Sequence, residues 1–256
     1  MSEAPLLSLS DVSVHFAGLK ALTGVSLDAV RGEVKAVIGP NGAGKTTLFN
    51  AISGYVSATS GTIRFLGREI QRLTPHEIAA LGVRRTFQNG GLFGELSALE
   101  NVLTGLHATI RSGFAGLLLG TRSARAAERE ALHRARRLLD LMSIGHLADQ
   151  PAKDLSGGQQ RMVEIVRALA TDPPLLLLDE PAVGLAPPVR ERLMEIIRRL
   201  AGELGVGVLI IEHAIDLVIR GSDVIVVLNS GEKIAEGKPE EIRRNREVLE
   251  AYLGNT

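Results

Sequence analysis

The 256-residue sequence contains no cysteine. Disulfides and thiolate metal centres are thereby excluded, and a reducing compartment is compatible with the chain. It also lacks net charge, because 29 Lys and Arg are matched by 29 Asp and Glu. There is no global basic field to draw in nucleic acid or acidic lipid. Long apolar runs are missing too. The longest outside the strand-like segments, Phe114 to Leu119, falls far short of the roughly 20 residues that span a bilayer. The N-terminus carries Glu3 and Asp11 and no apolar run of secretory length, so no signal peptide is expected. Internal repeats and low-complexity tracts are absent as well. What is present is 45% hydrophobic residue content, enough for a chain of this length to bury roughly 70–75% of its unfolded surface. The expectation is a soluble α/β protein whose work at any membrane goes through a partner.

The most informative stretch is Gly39-Pro40-Asn41-Gly42-Ala43-Gly44-Lys45-Thr46-Thr47. An apolar segment, Val34 to Ile38, precedes it as a buried strand. A helical segment, Leu48 to Ile52, follows. A phosphate-binding loop needs this context. Glycines at 39, 42 and 44 let backbone N–H groups approach phosphate oxygens, and the helix start adds free donors and partial positive charge. Lys45 can reach the terminal phosphates, and Thr46 can offer its hydroxyl to magnesium.

Leu6 to Phe16 alternates, with Val12, Val14 and Phe16 on one face and Ser13 and His15 on the other, which predicts a strand. Leu22 to Leu27 and Gly61 to Gly67 predict further strands, and Pro75 opens a helix to Leu81. From Asn89 strand signals vanish until Leu175. Leu96 to Leu106 and Ala124 to Met142 read as helices, the second placing Leu132, Ala135, Leu138, Leu139 and Met142 on one side. Its arginines are interrupted by Glu128, Glu130 and Asp140, as on a solvated helix face. Leu175 to Leu178 and Val206 to Ile211 are continuous apolar runs, as in strands buried on both faces of a parallel sheet. Val189 to Leu204 is helical. Val224 to Leu228 and Lys233 to Ala235 are strands around a turn at Ser230-Gly231, and Pro239 opens a helical stretch to Leu253.

Two further stretches carry chemistry. Asp179 and Glu180 end the buried strand at Leu178, at the carboxyl edge where open α/β sheets bind ligands. Asp179 can hold magnesium, directly or through water. Glu180 can orient or deprotonate an attacking water. Leu155-Ser156-Gly157-Gly158-Gln159 opens a helix running to about Ala170. Ser156 and Gln159 have capping-box spacing, and the glycines leave room for an anion. The same residues also read as a well-capped helix and nothing more.

The phosphate loop, Gln88 after a strand, Leu155-Ser156-Gly157-Gly158-Gln159, the apolar run ending Asp179-Glu180, and His213 after a strand, in this order, resemble the ATP-binding cassette family. The resemblance runs from Leu6 to about Leu253. It implies an α/β fold, a RecA-like P-loop NTPase core with an antiparallel β subdomain and an inserted α-helical subdomain. It implies one nucleotide-binding domain over 1–256, with the ATP-binding core at 1–88 and 168–237, the helical subdomain at 89–167 and a helical tail at 238–256. The implied cofactors are ATP and Mg2+. Phe16 resembles the aromatic that stacks on adenine, although its alternation with Val12 and Val14 suits a core residue equally. Gln88 resembles the glutamine that touches magnesium and links the nucleotide site to the partner. His213 resembles the histidine that contacts the γ-phosphate. Ser156, Gly157 and Gly158 would contact the γ-phosphate held by Gly39 to Thr47 of a second subunit, in a head-to-tail dimer. Ala186 stands where the family often has an aspartate with a subunit-crossing role, and alanine has no carboxylate to serve it.

Arg85-Thr86-Phe87-Gln88 with Leu92-Phe93 and Glu100-Asn101-Val102, an extra segment at about His107 to Arg122, and the tail ending Ala251-Tyr252-Leu253-Gly254 narrow the resemblance. They are similar to ATPase subunits of branched-chain amino acid importers and their relatives for urea, amides or aromatic acids. The implied partners are a second ATPase subunit, identical or paralogous, two integral membrane permease subunits and, indirectly, a substrate-binding protein, with no nucleic acid. The implied location is the cytoplasmic face of the plasma membrane. Leu92, Phe93, Leu96 and Leu99 are expected to contribute an exposed apolar patch for the membrane subunit. The rival readings are a soluble cassette acting on nucleic acid or in cofactor assembly, an exporter of lipid or polysaccharide, and a non-catalytic nucleotide-binding module. Single-cassette length and neutral charge oppose the first, the tail and the extra segment oppose the second, and Glu180 with His213 oppose the third.

Overall fold

The computed structural model describes residues 4–86, 91–106 and 122–253. Gln88 and most of the extra segment 107–122 lie outside the described residues. The chain forms two compact units: Met1–Arg85 with Pro174–Val183 and Pro187–Thr256, and Thr86–Pro173 with Gly184–Ala186.

Two sheets build the first unit. Strands β1 (Leu7–Phe16), β2 (Leu19–Ala29), β4 (Ser60–Phe65) and β5 (Arg68–Glu69) form an antiparallel sheet in the order β2-β1-β4-β5. Strands β3 (Val34–Ile38), β6 (Val83–Thr86), β7 (Leu175–Asp179), β8 (Gly207–Ile211), β9 (Val224–Asn229) and β10 (Glu232–Gly237) form the second, in the order β10-β9-β3-β8-β7-β6. Neighbours β9-β3, β3-β8 and β8-β7 are parallel, while β10 runs antiparallel to β9. Every residue of β3, β7 and β8 is buried, which is why these strands read as unbroken apolar runs.

Helix α1 (Lys45–Ile52) lies between the sheets in one core. Leu48, Phe49 and Ile52 pack there with Leu7, Val14 and Ile63 of the antiparallel sheet and Val37, Leu177 and Leu209 of the parallel one. Helices α2 (Pro75–Ala80), α6 (Pro187–Leu204), α7 (Ile215–Gly221), α8 (Pro239–Arg244) and α9 (Arg246–Leu253) complete this unit. Proline suits the first turns of α2, α6 and α8, where its missing N–H costs no hydrogen bond.

The second unit packs α3 (Ala98–Leu106), α4 (Arg122–Leu141) and α5 (Gly157–Leu169) on one another. Asn101, fully buried, organises the chain before α3. Its Nδ2 donates to the carbonyls of Phe93 (3.0 Å), Leu96 (3.1 Å) and Ser97 (3.0 Å), and its Oδ1 accepts from Phe93 N–H (2.8 Å).

Four readings change. On α4, Ala131 is buried with Ala135, Leu138 and Leu139, whereas Leu132 is only half-buried. The tail is two helices, because Asn245 adopts an extended conformation (φ −72°, ψ 119°) between them. Helix α7 appears where no element is read from the sequence. Of the four residues expected to be an exposed apolar patch, Phe93 is exposed, Leu92 and Leu96 are half-buried, and Leu99 is buried.

Candidate functional site

The loop from Gly39 to Thr47 joins β3 to α1 and can exist only with glycine at particular points. A Cβ on Gly39 would lie 2.1 Å from the Leu228 carbonyl oxygen, and one on Gly44 would lie 2.6 Å from that of Ala21. Both residues have positive φ, 151° and 99°. Gly44 is also the residue before α1, and it gives that helix no side-chain cap. The first N–H groups of α1 are thus left for an anion.

Lys45 opens the helix and is buried. Its Nζ donates to the carbonyls of Gly39 (2.7 Å) and Pro40 (2.9 Å). Burial pushes the ammonium below its ordinary value, and the charges of Glu180 and Asp179 oppose that shift.

A cleft of about 340 Å3 opens over the loop. Asn41 to Thr47 form its floor, and Phe16, Leu19, Lys20, Glu180 and His213 its rim. Phe16 reaches the rim because β1 does not alternate strictly. Asp11 has φ 50° and the pairing of β1 with β2 shifts register after Leu9, Val12 and Val14. Ser13 is therefore buried with Val12 and Val14, its Oγ accepting from Gly24 N–H at 3.0 Å, and Phe16 is 44% exposed. The core alternative for Phe16 falls.

Asp179 and Glu180 diverge at the end of β7. Asp179 is buried and its Oδ2 accepts from Arg85 Nη2 at 2.8 Å. Its Oδ1 is buried without a hydrogen-bond partner. Glu180 has φ 49°, in the left-handed region that costs a residue with a Cβ about 1–3 kcal/mol. Its N–H donates to the Ile211 carbonyl at 3.0 Å, and its Oε1 lies 2.7 Å from His213 Nε2. With Glu180 ionised its carboxylate can only accept, so His213 carries a proton on Nε2. Glu212, unremarked in the sequence reading, is 2% exposed and its Oε1 accepts from Ala182 N–H at 2.8 Å. Burial pushes its carboxyl above the ordinary value, against the hydrogen bonds from the Ala182 and His213 backbone. It ties the turn after Glu180 to the strand end that bears His213. An acid directly after the apolar run Val208 to Ile211 is the signal that could have marked it.

The donor set suits magnesium. That ion takes one or two carboxylates plus phosphate and water, so a dedicated cage is unnecessary. The partnerless Asp179 Oδ1 is a ligand atom of the right kind, and Thr46 lines the cleft. Among the described residues no group of three or more His, Cys, Asp or Glu is arranged so that it could hold a metal ion by itself.

In the second unit, Ser156 precedes α5 and forms a reciprocal cap with Gln159. Gln159 N–H donates to Ser156 Oγ (3.4 Å), and Ser156 N–H donates to Gln159 Oε1 (2.8 Å). Ser156 and Gly157 are exposed; Gly158 and Gln159 are half-buried. Ala186 is exposed. No helix among the described residues is long and apolar enough to cross a membrane.

Comparison with known proteins gives a consistent picture. A family model described as ABC transporter matches residues 22–183, and one described as branched-chain amino acid ATP-binding cassette transporter matches residues 232–256. The chain is similar to BraF of Pseudomonas aeruginosa, a high-affinity branched-chain amino acid transport ATP-binding protein, with 45% identity over 98% of both chains. It is 42% identical to LivG of Escherichia coli, of the same description, again over 98% of both. Among solved structures, the ADP conformation of an ATP-binding cassette of an ABC transporter superposes with a TM-score of 0.85 at 33% identity, covering 99% of this chain and 100% of that one. The fold is thus a RecA-like P-loop NTPase core with an antiparallel sheet and a helical subdomain. The chain belongs to the ABC transporter family, as an ATP-binding subunit that hydrolyses ATP with magnesium.

Proposed function

We propose that this chain energises the uptake of branched-chain amino acids, or of small polar solutes related to them, through membrane permease subunits on whose cytoplasmic side it works. The observation that carries the hydrolytic part is the Glu180–His213 pair, 2.7 Å apart on the rim of the phosphate-loop cleft. The tail match at residues 232–256 supports the substrate class.

The roles proposed for these residues are the following, that of Gln88 being carried by the family resemblance. Gly39 to Thr47 hold the phosphates with backbone N–H groups, and Lys45 leaves the Gly39 and Pro40 carbonyls to meet the terminal phosphates. Phe16 stacks on adenine from the rim. Thr46 and Asp179 would hold magnesium, with Gln88 as the third ligand that the family resemblance implies. When bound, that ion neutralises phosphate charge and polarises the phosphoryl oxygens. Glu180 takes the proton of the attacking water; His213 Nε2–H, which holds the carboxylate before nucleotide binds, would turn to the γ-phosphate in the loaded site. Ser156 to Gly158, with Gln159 holding the cap, complete the phosphate site of a second subunit, identical or paralogous, in a head-to-tail pair. Closing that pair would couple ATP binding to motion, and hydrolysis to reopening.

Co-purification with membrane subunits followed by reconstitution into vesicles tests this reading. The expected result is magnesium–ATP-dependent accumulation of leucine, isoleucine or valine that ceases with Lys45→Ala. Recovery with nucleic acid and without membrane protein would contradict it.

A further inference from the structure

Arg85 is a charged side chain that the hydrolytic roles above do not use. It lies on β6, and its side chain is 7% exposed, as buried as its partner Asp179 at 6%. One end of the guanidinium, Nη2, donates to Asp179 Oδ2 at 2.8 Å. The other, Nη1, donates to Asn50 Oδ1 at 2.8 Å and Ser53 Oγ at 3.0 Å. The group lies over the rings of Phe49 (5.7 Å) and Tyr55 (6.0 Å), so its plane is held from the side as well.

A buried ion pair is poor evidence for a stability role, because desolvation of both charges can exceed their attraction. The geometry of this pair suggests another reason for keeping it. Asn50 is one turn after Thr46 on α1, and Asp179 ends β7. Arg85 therefore spans the two elements that carry the proposed magnesium ligands. It also divides the carboxylate of Asp179: Oδ2 is held by Arg85, and Oδ1 is left buried without a partner. Among the described residues no other side-chain hydrogen bond distinguishes the two carboxylate oxygens of Asp179. A lysine could neutralise the acid but could not supply the planar fork that reaches both elements.

We infer that Arg85 is a positioning residue for the magnesium shell, setting Asp179 Oδ1 and Thr46 in register through one guanidinium. This rests on the reading of Thr46 and Asp179 as magnesium ligands. Supporting groups behind metal ligands typically account for about 10–100-fold in metal affinity.

The test uses Mn2+ as the probe, titrated by electron paramagnetic resonance against the full-length protein loaded with a non-hydrolysable ATP analogue. Affinity for the same analogue is measured separately in EDTA. Arg85→Gln and Arg85→Lys are both expected to weaken Mn2+ binding about 10–100-fold and to leave analogue affinity in EDTA at the wild-type value. Asn50→Ala, which keeps the ion pair and cuts the link to α1, should give a smaller loss in the same direction and carries the test should both Arg85 variants fail to fold. Unchanged Mn2+ affinity in folded Arg85→Lys would overturn the inference, as would an equal loss of analogue affinity in EDTA, which marks a purely structural tie. Asp179→Asn separates the two levels. Weakened Mn2+ binding there, beside unaffected Arg85 variants, removes the role of Arg85 alone. Unaffected binding in Asp179→Asn removes the ligand assignment itself.

Discussion

Two helices in this chain begin at glycines, and they begin differently. Helix α1 starts behind Gly44 with no side-chain cap, whereas α5 starts behind Ser156 with a reciprocal cap from Gln159. An anion arriving at α1 meets backbone donors that have no competitor. An anion arriving at α5 must share or displace the Ser156–Gln159 exchange. The first start has Lys45, Glu180 and His213 around one cleft of a single chain. The second is capped within its own chain, as the role proposed above for Ser156 would require.

The largest effect expected from breaking this contrast comes at the uncapped start. Lys45→Ala removes the cation from the cleft, and magnesium–ATP turnover should fall about 10²–10³-fold, as for other lost charge-stabilising donors. Steady-state phosphate release measures it, with circular dichroism to show retained folding.

At the capped start, Ser156→Asp separates capping from phosphate contact. Aspartate caps as well as serine and suits the positive end of the helix, so the melting temperature should hold. It also sets a negative charge where, on the proposed reading, the second subunit's phosphate would come. Turnover should drop about 10–100-fold, the worth of a hydrogen bond to a charged group. Ser156→Ala should lose the same phosphate contact and, in addition, about 1 kcal/mol of stability with the cap. If Ser156→Asp turns over ATP like wild type, α5 is only a well-made helix.

On the rim of the cleft, Phe16→Ala should raise the ATP concentration at half-maximal rate about 3–10-fold, from a stacking contribution of about 0.5–1.5 kcal/mol, with little change in maximal rate.

The smallest effect is one of pH. The Glu212 carboxyl is held above its ordinary value by burial. Between the ordinary value and the raised one, the folded protein therefore binds more protons than the unfolded chain, and stability falls as pH rises through that window. Glu212→Gln removes this dependence. Its melting temperature should gain on the wild type as pH rises from about 5 to about 8. A parallel pair of profiles would show that the Glu212 charge does not matter to folding.

Sequence spacing made much of this legible for a physical reason. A phosphate loop must fit between a strand and a helix with glycines where Leu228 and Ala21 approach, so residues 39–47 could hardly vary their pattern. Strands β3, β7 and β8 are buried on both faces and read as continuous apolar runs. What stayed hidden depends on contacts or on local irregularity. Phe16 leaves the face of Val12 and Val14 because the pairing of β1 with β2 shifts register between Val14 and His15, and no composition cue marks that shift. Helix α7 escaped notice because it is seven residues long and Ala214 before it gives no cap signal. Arg85 and Glu212 are charges whose partners lie 94 and 30 residues away, at Asp179 and Ala182. Only the sheet order brings them together.

The account stands most directly on the turnover of Glu180→Gln, measured beside its affinity for ATP. The account predicts near-normal ATP binding with turnover reduced about 10²–10⁴-fold, the usual contribution of a general base. Turnover at the wild-type rate in that variant would contradict it, and would move the hydrolytic chemistry away from the Glu180–His213 pair.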